Sequence, residues 1–554
     1  MQTRLFIFFV ALGLGVACKK QADPGPSPVP PASFSLNSLR VDGRFDGFVY
    51  SQVQTSPELI FTFSNSLSQA SVREAIQWKS GAGAAVPFSA TFRNNDSTVL
   101  LKPTGALDHL ARYTVTVPTT LQSKSGGSLQ AGFKLQLYTA LDSTDKFPRI
   151  SDEALLTKVQ QQTFQYFWEF AHPVSGLARE RNTSGDLVTS GGSGFGIMAI
   201  PVAIERGFIS REDGLARLQK IVTFLKDRAV KFHGAFPHWL NGATGAVIPF
   251  SQKDNGADLV ETSFLMQGLL TARQYFAGSS AAETSLRADI NTLWRGVEWD
   301  WFRKDNGNVL YWHWSPDHAW DLNLPIRGWN ETLITYVLAA SSPTHTIPKV
   351  VYTEGFARSG AMQNGRNFYG YTLPLGENLG GPLFFAHYSF LGLNPTGLTD
   401  AYANYFTQNK NHTLINRAYC IANPQGYRGY SASCWGLTAS DIPGGYTASS
   451  PTNDRGVIAP TAALSSFPYT PQESMRALHF YYYTLGDRLW GKYGFHDAFS
   501  LHDPWFADSY LAIDQGPIIL MIENYRSGLP WKLFMSCPEV QAGLRKLDFS
   551  SPTL

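Results

Sequence analysis

The residues with the clearest chemical promise are acids. In KDNGADLVET, Lys253 to Thr262, carboxylates stand at Asp254, Asp258 and Glu261, directly before the apolar run SFLMQGLL. At about 100° per residue, a helix through this segment would set Asp258 about 40° and Glu261 about −20° around the axis from Asp254, so all three would share one narrow face. Acids in a first helical turn have an ordinary use, as N-caps and as partners of the helix dipole. That use explains one acid better than the set, because like charges four residues apart repel and crowding raises at least one pKa. Crowding of this kind keeps a carboxylic acid protonated near neutrality, which acid–base catalysis requires.

A fourth acid, Glu331, opens the apolar helix TLITYVLAA after the loop WHWSPDHAWDLNLPIRGWN, which carries Trp312, His313, Trp314, Trp320, Arg327 and Trp329. A helix cap is again the ordinary reading. Indole rings interleaved with His, Asn and Arg, however, make flat apolar platforms beside polar groups, a surface that suits sugar rings. The mixture recurs in FHGAFPHWLNG (His238, Trp239, Asn241), GGPLFFAHYSF (His387, Tyr388) and SCWGLTASD (Trp435, Asp441). Taken singly, any of those aromatics is more often core than ligand platform.

Other chemistries fare less well. SGGSGFG (190–196) lacks the Lys-Ser/Thr ending and the preceding strand of a phosphate loop. HEXXH is absent, and His313 and His318 lie five apart in a loop with no third ligand in view, so no metal is expected. No nucleophile elbow occurs in GFGIM or SYLAIDQG. A net charge of +2, with signs interspersed, indicates no nucleic-acid footprint. A neutral partner and no cofactor are the expectation.

The 554 residues that must position these groups are 44% apolar and 14% aromatic, enough for a large core and for more than one domain. MQTRLFIFFVALGLGVAC reads as a secretory leader over residues 1–18, too short for a membrane span. Its GVAC ending is similar to a bacterial lipobox, which would leave an acylated Cys18; a plain secretory leader is the alternative, and both place the mature protein outside the cytoplasm. Residues 19–33, KKQADPGPSPVPPAS and its surroundings, read as a Pro-rich tether. Residues 34–141 read as an Ig-like β-sandwich from FVYSQVQ, ELIFTFS, VPFSATF, STVLLKP and ARYTVTVP. Helical periodicity then takes over, beginning with SDEALLTKVQQQTFQYFWEF, and residues 142–554 carry about a dozen helices joined by long loops rich in Gly, Pro, Trp, His and Asn. Paired helices with chemistry on the loops at one end describe an α/α toroid. Cys420 and Cys434 could pair in an oxidising compartment or stay buried as thiols.

Long stretches of this second part, among them DNGADLVETSFLMQGLL, NVLYWHWSPDHAWDLNLPIRGWNETLITYVLA, SPTNDRGVIAPTAALSSFPYTP and WFADSYLAIDQGPIILMIENYRSGLPWKL, resemble glycoside hydrolase family 144, from about Thr163 to the C-terminus. The resemblance implies a mainly α fold, an (α/α)6 barrel, without a metal, that hydrolyses β-1,2-glucans with inversion. The acids implicated in the family fall on Asp254, Asp258, Glu261 and Glu331. An inverting pair needs one protonated acid and one water-activating carboxylate, about 6.5–9.5 Å apart. Glu331 is expected as the acid, on account of its desolvating surroundings, and the trio as the source of the base; Asp514 is an outside candidate for the base. The expected substrate-binding set is Arg93, His238, Trp239, Asn241, Trp312, His313, Trp314, Arg327, Trp329, His387, Tyr388, Trp435 and Asp454. The attached sandwich resembles that of family members that release sophorose from the non-reducing end, and Arg93 in the FRNND turn offers a five-donor fork to a terminal sugar. Endo cleavage, a non-catalytic glycan-binding lipoprotein and a glucosyltransferase remain as alternatives.

Overall fold

The computed structural model describes residues 31–554. The expected leader, Cys18 and all but the last residues of the Pro-rich tether lie outside the described residues. The chain divides into two compact units, residues 1–141 and 142–554, each taken by itself below.

Among its described residues, the first unit contains eight strands: β1 (Leu36–Val41), β2 (Val49–Val53), β3 (Leu59–Phe63), β4 (Gln77–Ser80), β5 (Phe88–Arg93), β6 (Thr98–Pro103), β7 (Arg112–Val117) and β8 (Phe133–Thr139), with a short helix α1 (Gln69–Ala75) capped by Ser68. They form two four-stranded sheets, β1-β3-β6-β5 and β2-β8-β7-β4. Alternation explains the packing. Leu59, Phe61 and Phe63 of one sheet and Val115, Val117, Leu135 and Leu137 of the other point inward and meet Trp78, while the intervening residues are partly exposed. The sequence reading found five of these strands. It missed β1 and β4, which are short or broken by Asn, Ser and Lys, and it also missed β8, whose alternation is clear. Arg93 is the exposed last residue of β5, paired with Thr98 across a turn in which Asn94, Asn95 and Asp96 all adopt left-handed backbone. Asn and Asp tolerate that region better than other non-glycine residues.

The second unit is an (α/α)6 barrel, helix against helix around one core. Its helices are α2 (Asp152–Trp168), α3 (Ser190–Glu205), α4 (Arg211–Asp227), α5 (Leu259–Tyr275), α6 (Ala281–Gly296), α7 (Leu333–Ser341), α8 (Tyr405–Ala422), α9 (Pro460–Leu464), α10 (Pro471–His479), α11 (Gly486–Leu489), α12 (Ala512–Arg526), α13 (Leu529–Met535) and α14 (Pro538–Lys546). Helices α3, α5, α7, α9 and α12 are buried on nearly every side and form the inner ring, in which two 3₁₀ turns, Leu383–Ala386 and Tyr388–Leu391, take the remaining place. Around them α2, α4, α6 and α10 bury one face each. This burial explains the sequence pattern: inner helices read as continuous apolar runs, outer ones as amphipathic.

SGGSGFG, discounted above as a phosphate loop, is the first half of inner helix α3; a short strand, Leu187–Thr189, does precede it, contrary to the sequence reading, but the Lys-Ser/Thr ending is lacking. Its glycines serve close packing. A Cβ on Gly194 would lie 2.2 Å from the Phe264 carbonyl oxygen, and one on Gly268 equally close to the Gly194 carbonyl oxygen, so α3 and α5 touch backbone to backbone. Cys420, Cys434 and Cys537 are buried free thiols.

Candidate active site

Short strands in the loops set the site by ending where inner helices begin. Strand β9 (Leu187–Thr189) runs into α3, whose N-cap is Thr189, and pairs with β10 (Trp239–Asn241), which pairs in turn with β11 (Val247–Ile248). Strand β12 (Ala257–Asp258) runs into α5, whose N-cap is Asp258, and pairs with β13 (His313–Trp314), placing His313 opposite Asp258. The WHW loop is thereby tied to the acidic segment, and helix N-termini, which carry partial positive charge, gather at one end of the barrel.

The acids do not share a helix face, contrary to the sequence reading. Helix α5 starts at Leu259; Asp258 is extended at φ −119°, ψ 108°, and Asp254 sits in the turn before it. The four separate into two environments. Asp258 is fully buried. Its Oδ1 accepts the N–H groups of Val260 and Glu261 at 3.0 and 2.9 Å, an N-cap, and its Oδ2 lies 3.0 Å from Nδ1 of His238 and 3.6 Å from Nε2 of His313. Burial disfavours its ionised form, but hydrogen bonds and charge from His238 and His313 outweigh burial and hold Asp258 below the usual carboxylate range. Asp254 lies 3.3 Å from His313 Nε2; burial, together with the Asp258 carboxylate, pushes it up to about 6 against the pull of the two histidines. Burial disfavours protonation of His238, yet Glu261, Asp258 and Asp254 raise it to about 9, and His313 is raised by the same two aspartates against burial. This corner is an ion-paired cluster.

Glu261 and Glu331 face the other way. Both line a cavity of about 420 Å³ at the barrel end. Glu261 Oε2 accepts the Gly191 N–H at 2.7 Å and the Thr189 hydroxyl at 3.3 Å, contacts that need glycine at 191, where a Cβ would lie 2.6 Å from that oxygen. Burial and the Asp258 charge raise Glu261, while His238 and the Gly191 N–H pull it back. Glu331 stands two residues before α7 rather than on it. The Asn330 side chain accepts the Thr332 N–H, and the Ser389 hydroxyl donates to the Glu331 carbonyl while accepting the Ile334 N–H, which fixes the turn. Burial pushes Glu331 up to about 7, and the carboxylates of Asp258 and Glu261 add to the shift.

Of the expected binding residues, His238, Trp239, Trp312 and Tyr388 line this cavity. His313 backs the two aspartates from behind. The others of this unit lie outside the cavity lining, each for a visible reason. Trp329 and Trp435 are core residues, Trp329 packed on Phe390 and Tyr405. His387 is buried against the Ser466 hydroxyl and pushed down by burial to about 3, so it is a neutral packing residue. Asn241 closes its own turn by accepting the Ala243 and Thr244 N–H groups, and Trp314 packs edge-on against His233. Asp454 accepts the Tyr430 hydroxyl at 2.7 Å and lines none of the cavities described, and Arg327 is exposed away from this one. Arg93 belongs to the sandwich unit. Sequence reasoning missed Glu180, Arg181, Phe250, Phe264, Phe384 and Tyr446, all of which line the cavity. The pair Glu180–Arg181, in GLARERN, was the one legible signal among them.

The ligating atoms of His238, Asp254 and Asp258 lie within 4.8 Å of one another, a spacing compatible with a shared cation. Both histidines are pushed toward their protonated forms, so a proton competes for that place.

Both units have counterparts among known proteins. Residues 323–538 match the family described as "Putative glucoamylase", and residues 50–139 match the bacterial Ig-like domain. An exo β-1,2-glucooligosaccharide sophorohydrolase (non-reducing end) of Parabacteroides distasonis is 50% identical over 422 residues, 72% of this chain; the match spans 58% of that relative's length. The structure of an endo-β-1,2-glucanase from Chitinophaga pinensis is 58% identical, with a TM-score of 0.72, over 73% of this chain and 100% of its own. A β-1,2-glucanase structure from P. distasonis is 40% identical with a TM-score of 0.70, over 94% of this chain and 74% of its own. Identity at this level over the whole of a solved relative means that this chain belongs to the glucoamylase-like family that includes these β-1,2-glucan-active enzymes.

Proposed function

We propose that the protein is an inverting glycoside hydrolase, of the kind grouped as glycoside hydrolase family 144, that releases sophorose from the non-reducing end of β-1,2-linked glucooligosaccharides. The observation that carries the reading is the unequal treatment of two carboxyls in one aromatic-walled cavity. Glu261 has His238, the Gly191 N–H and the Thr189 hydroxyl behind it, all of which favour its ionised form. Burial raises Glu261 too, but Glu331 has only a hydrogen bond from its own N–H to set against burial and the charges of Asp258 and Glu261, and no histidine beside it, so it is the one held toward its protonated form. Pairs whose environments push their pKa values apart are how acid and base roles are divided.

In this mechanism Glu331 gives its proton to the glycosidic oxygen as the bond from that oxygen to C1 breaks. Glu261 removes a proton from a water that attacks C1 on the opposite face, so the new hemiacetal has inverted configuration. Trp239, Trp312 and Tyr388 supply apolar faces on which the sugar rings rest. Asp254, Asp258, His238 and His313 hold Glu261 and its helix end in place.

Release of a disaccharide follows the sophorohydrolase relative, 50% identical over 422 residues. The endo reading has its own support in the 58% identity to the C. pinensis enzyme. Early products from a linear β-1,2-glucan decide: disaccharide alone is expected, and a ladder of mixed lengths would mean endo cleavage. Absence of new reducing ends would leave a glycan-binding role, and product longer than substrate would mean transfer. The same reading puts the protein outside the cytoplasm, held to a membrane by lipid on Cys18; labelling with a radioactive fatty acid that disappears in Cys18→Ser tests the anchor.

A further inference from the structure

Beside the catalytic cavity lies a second one of about 430 Å³, lined by Arg181, Asp441, Tyr446, Trp505, Asp508 and Ser509 among others. The two share Arg181 and Tyr446, so each of these residues is a wall common to both. We infer that this second cavity binds further glucose units of the same chain, beyond those held at the cleaved bond, and that Trp505 and Asp508 set the preference for chain length. The inference rests on the function proposed above.

Three observations favour a neutral sugar as occupant. First, the shared wall is built. Arg181 is forked onto Glu180, with Nε 2.8 Å from Oε2, and reaches Asp441 Oδ1 at 3.1 Å, while Ser509 donates to Asp441 Oδ2 at 2.6 Å. The Asp441 N–H is in turn held by Asp497 at 2.7 Å. Side chains anchored in this way meet a ligand at little further cost in ordering. Second, the charge is wrong for an anion: Arg181 is already matched by Glu180 and Asp441, and exposed Asp508 adds a negative charge. Third, the aromatic rings remain available. Tyr446, opposite Asp441 in a two-stranded hairpin, is 48% exposed, and Trp505 is partly exposed on the other wall. Exposed rings beside carboxylates and hydroxyls match the apolar faces and hydroxyl edges of a sugar.

Binding energy from units remote from the reacting bond raises kcat/KM for longer chains. The test is kcat/KM on β-1,2-linked oligosaccharides of increasing length, for wild type, Trp505→Ala and Asp508→Ala, with thermal midpoints confirming that each variant is folded. The expected result is a rise of about tenfold with length in wild type, largely lost in both variants. Asp508 is exposed, so its variant reads the cavity even if Trp505→Ala unfolds. A wild type indifferent to length, or a preference that survives in Asp508→Ala and in any folded Trp505→Ala, would overturn the inference. Failure to cleave any length would overturn the proposed function itself.

Discussion

Two halves of one acidic cluster have been treated in opposite ways. Asp254 and Asp258, on the segment leading into α5, face two histidines and lie behind the cavity wall. Glu261 and Glu331, one on α5 and one before α7, face the cavity, and Glu331 has carboxylates rather than cations for charged neighbours. Four similar side chains thus sit in two environments. Counting acids in a sequence cannot tell a structural ion-pair cluster from a catalytic pair; the partner of each carboxylate can. Asp258 caps a helix end with Asp254 beside it, whereas Glu331 of the cavity-facing pair has no histidine neighbour, and the proposed division of acid and base rests on that contrast.

The largest effect expected from breaking this contrast is at Glu331. Glu331→Gln removes the donated proton and should lower kcat on β-1,2-glucan by about 10²–10⁴-fold, with KM held, in steady-state kinetics. Asp258→Ala should act through the fold. It removes an N-cap and the buried carboxylate hydrogen-bonded to His238, for a loss of about 3–5 kcal/mol in denaturant unfolding. A stable variant with abolished turnover would place Asp258 in the catalytic pair instead. The pH profile sharpens the division. Because Glu331 is raised to about 7, its protonated form is full below that pH and lost above it, so kcat should fall as pH rises through about 7, and that limb should be missing from any residual activity of Glu331→Gln. Trp312→Ala should raise KM about tenfold by removing a sugar platform, with a smaller effect on kcat. The smallest effect belongs to the His238–Asp254–Asp258 set: treatment with a chelator should leave activity within about twofold, because protonated histidines do not ligate.

Much of this was legible before any coordinates. The helical period from Ser151, the alternation in β3 and β7 and the long motifs shared with a glycosidase family point to the two-unit architecture. Three of the acids were visible by spacing and Glu331 by its aromatic company, but roles within the trio were not, because spacing alone does not tell whether a helix runs through Asp254 and Asp258. The backbone is extended at Asp258, which caps the helix, and this single departure sends its side chain to His238 and turns Glu261 toward the cavity. The aromatic residues divide for a similar reason. Trp239 begins loop strand β10 and Trp312 immediately precedes β13, both lining the cavity, whereas Trp329 and Trp435 turn into the core, and neither residue type nor neighbouring sequence distinguishes the two outcomes. Glu180, Arg181 and Tyr446 come from segments far apart in sequence, brought together by ring closure of the barrel. No local pattern encodes that meeting.

The central claim is that Glu331 supplies the proton to the departing sugar, and leaving-group dependence tests it most directly. Glu331→Gln should lose turnover of β-1,2-linked oligosaccharides yet keep near wild-type kcat on a β-sophoroside bearing a nitrophenolate leaving group, which departs without protonation. Equal loss on both substrates would contradict the account.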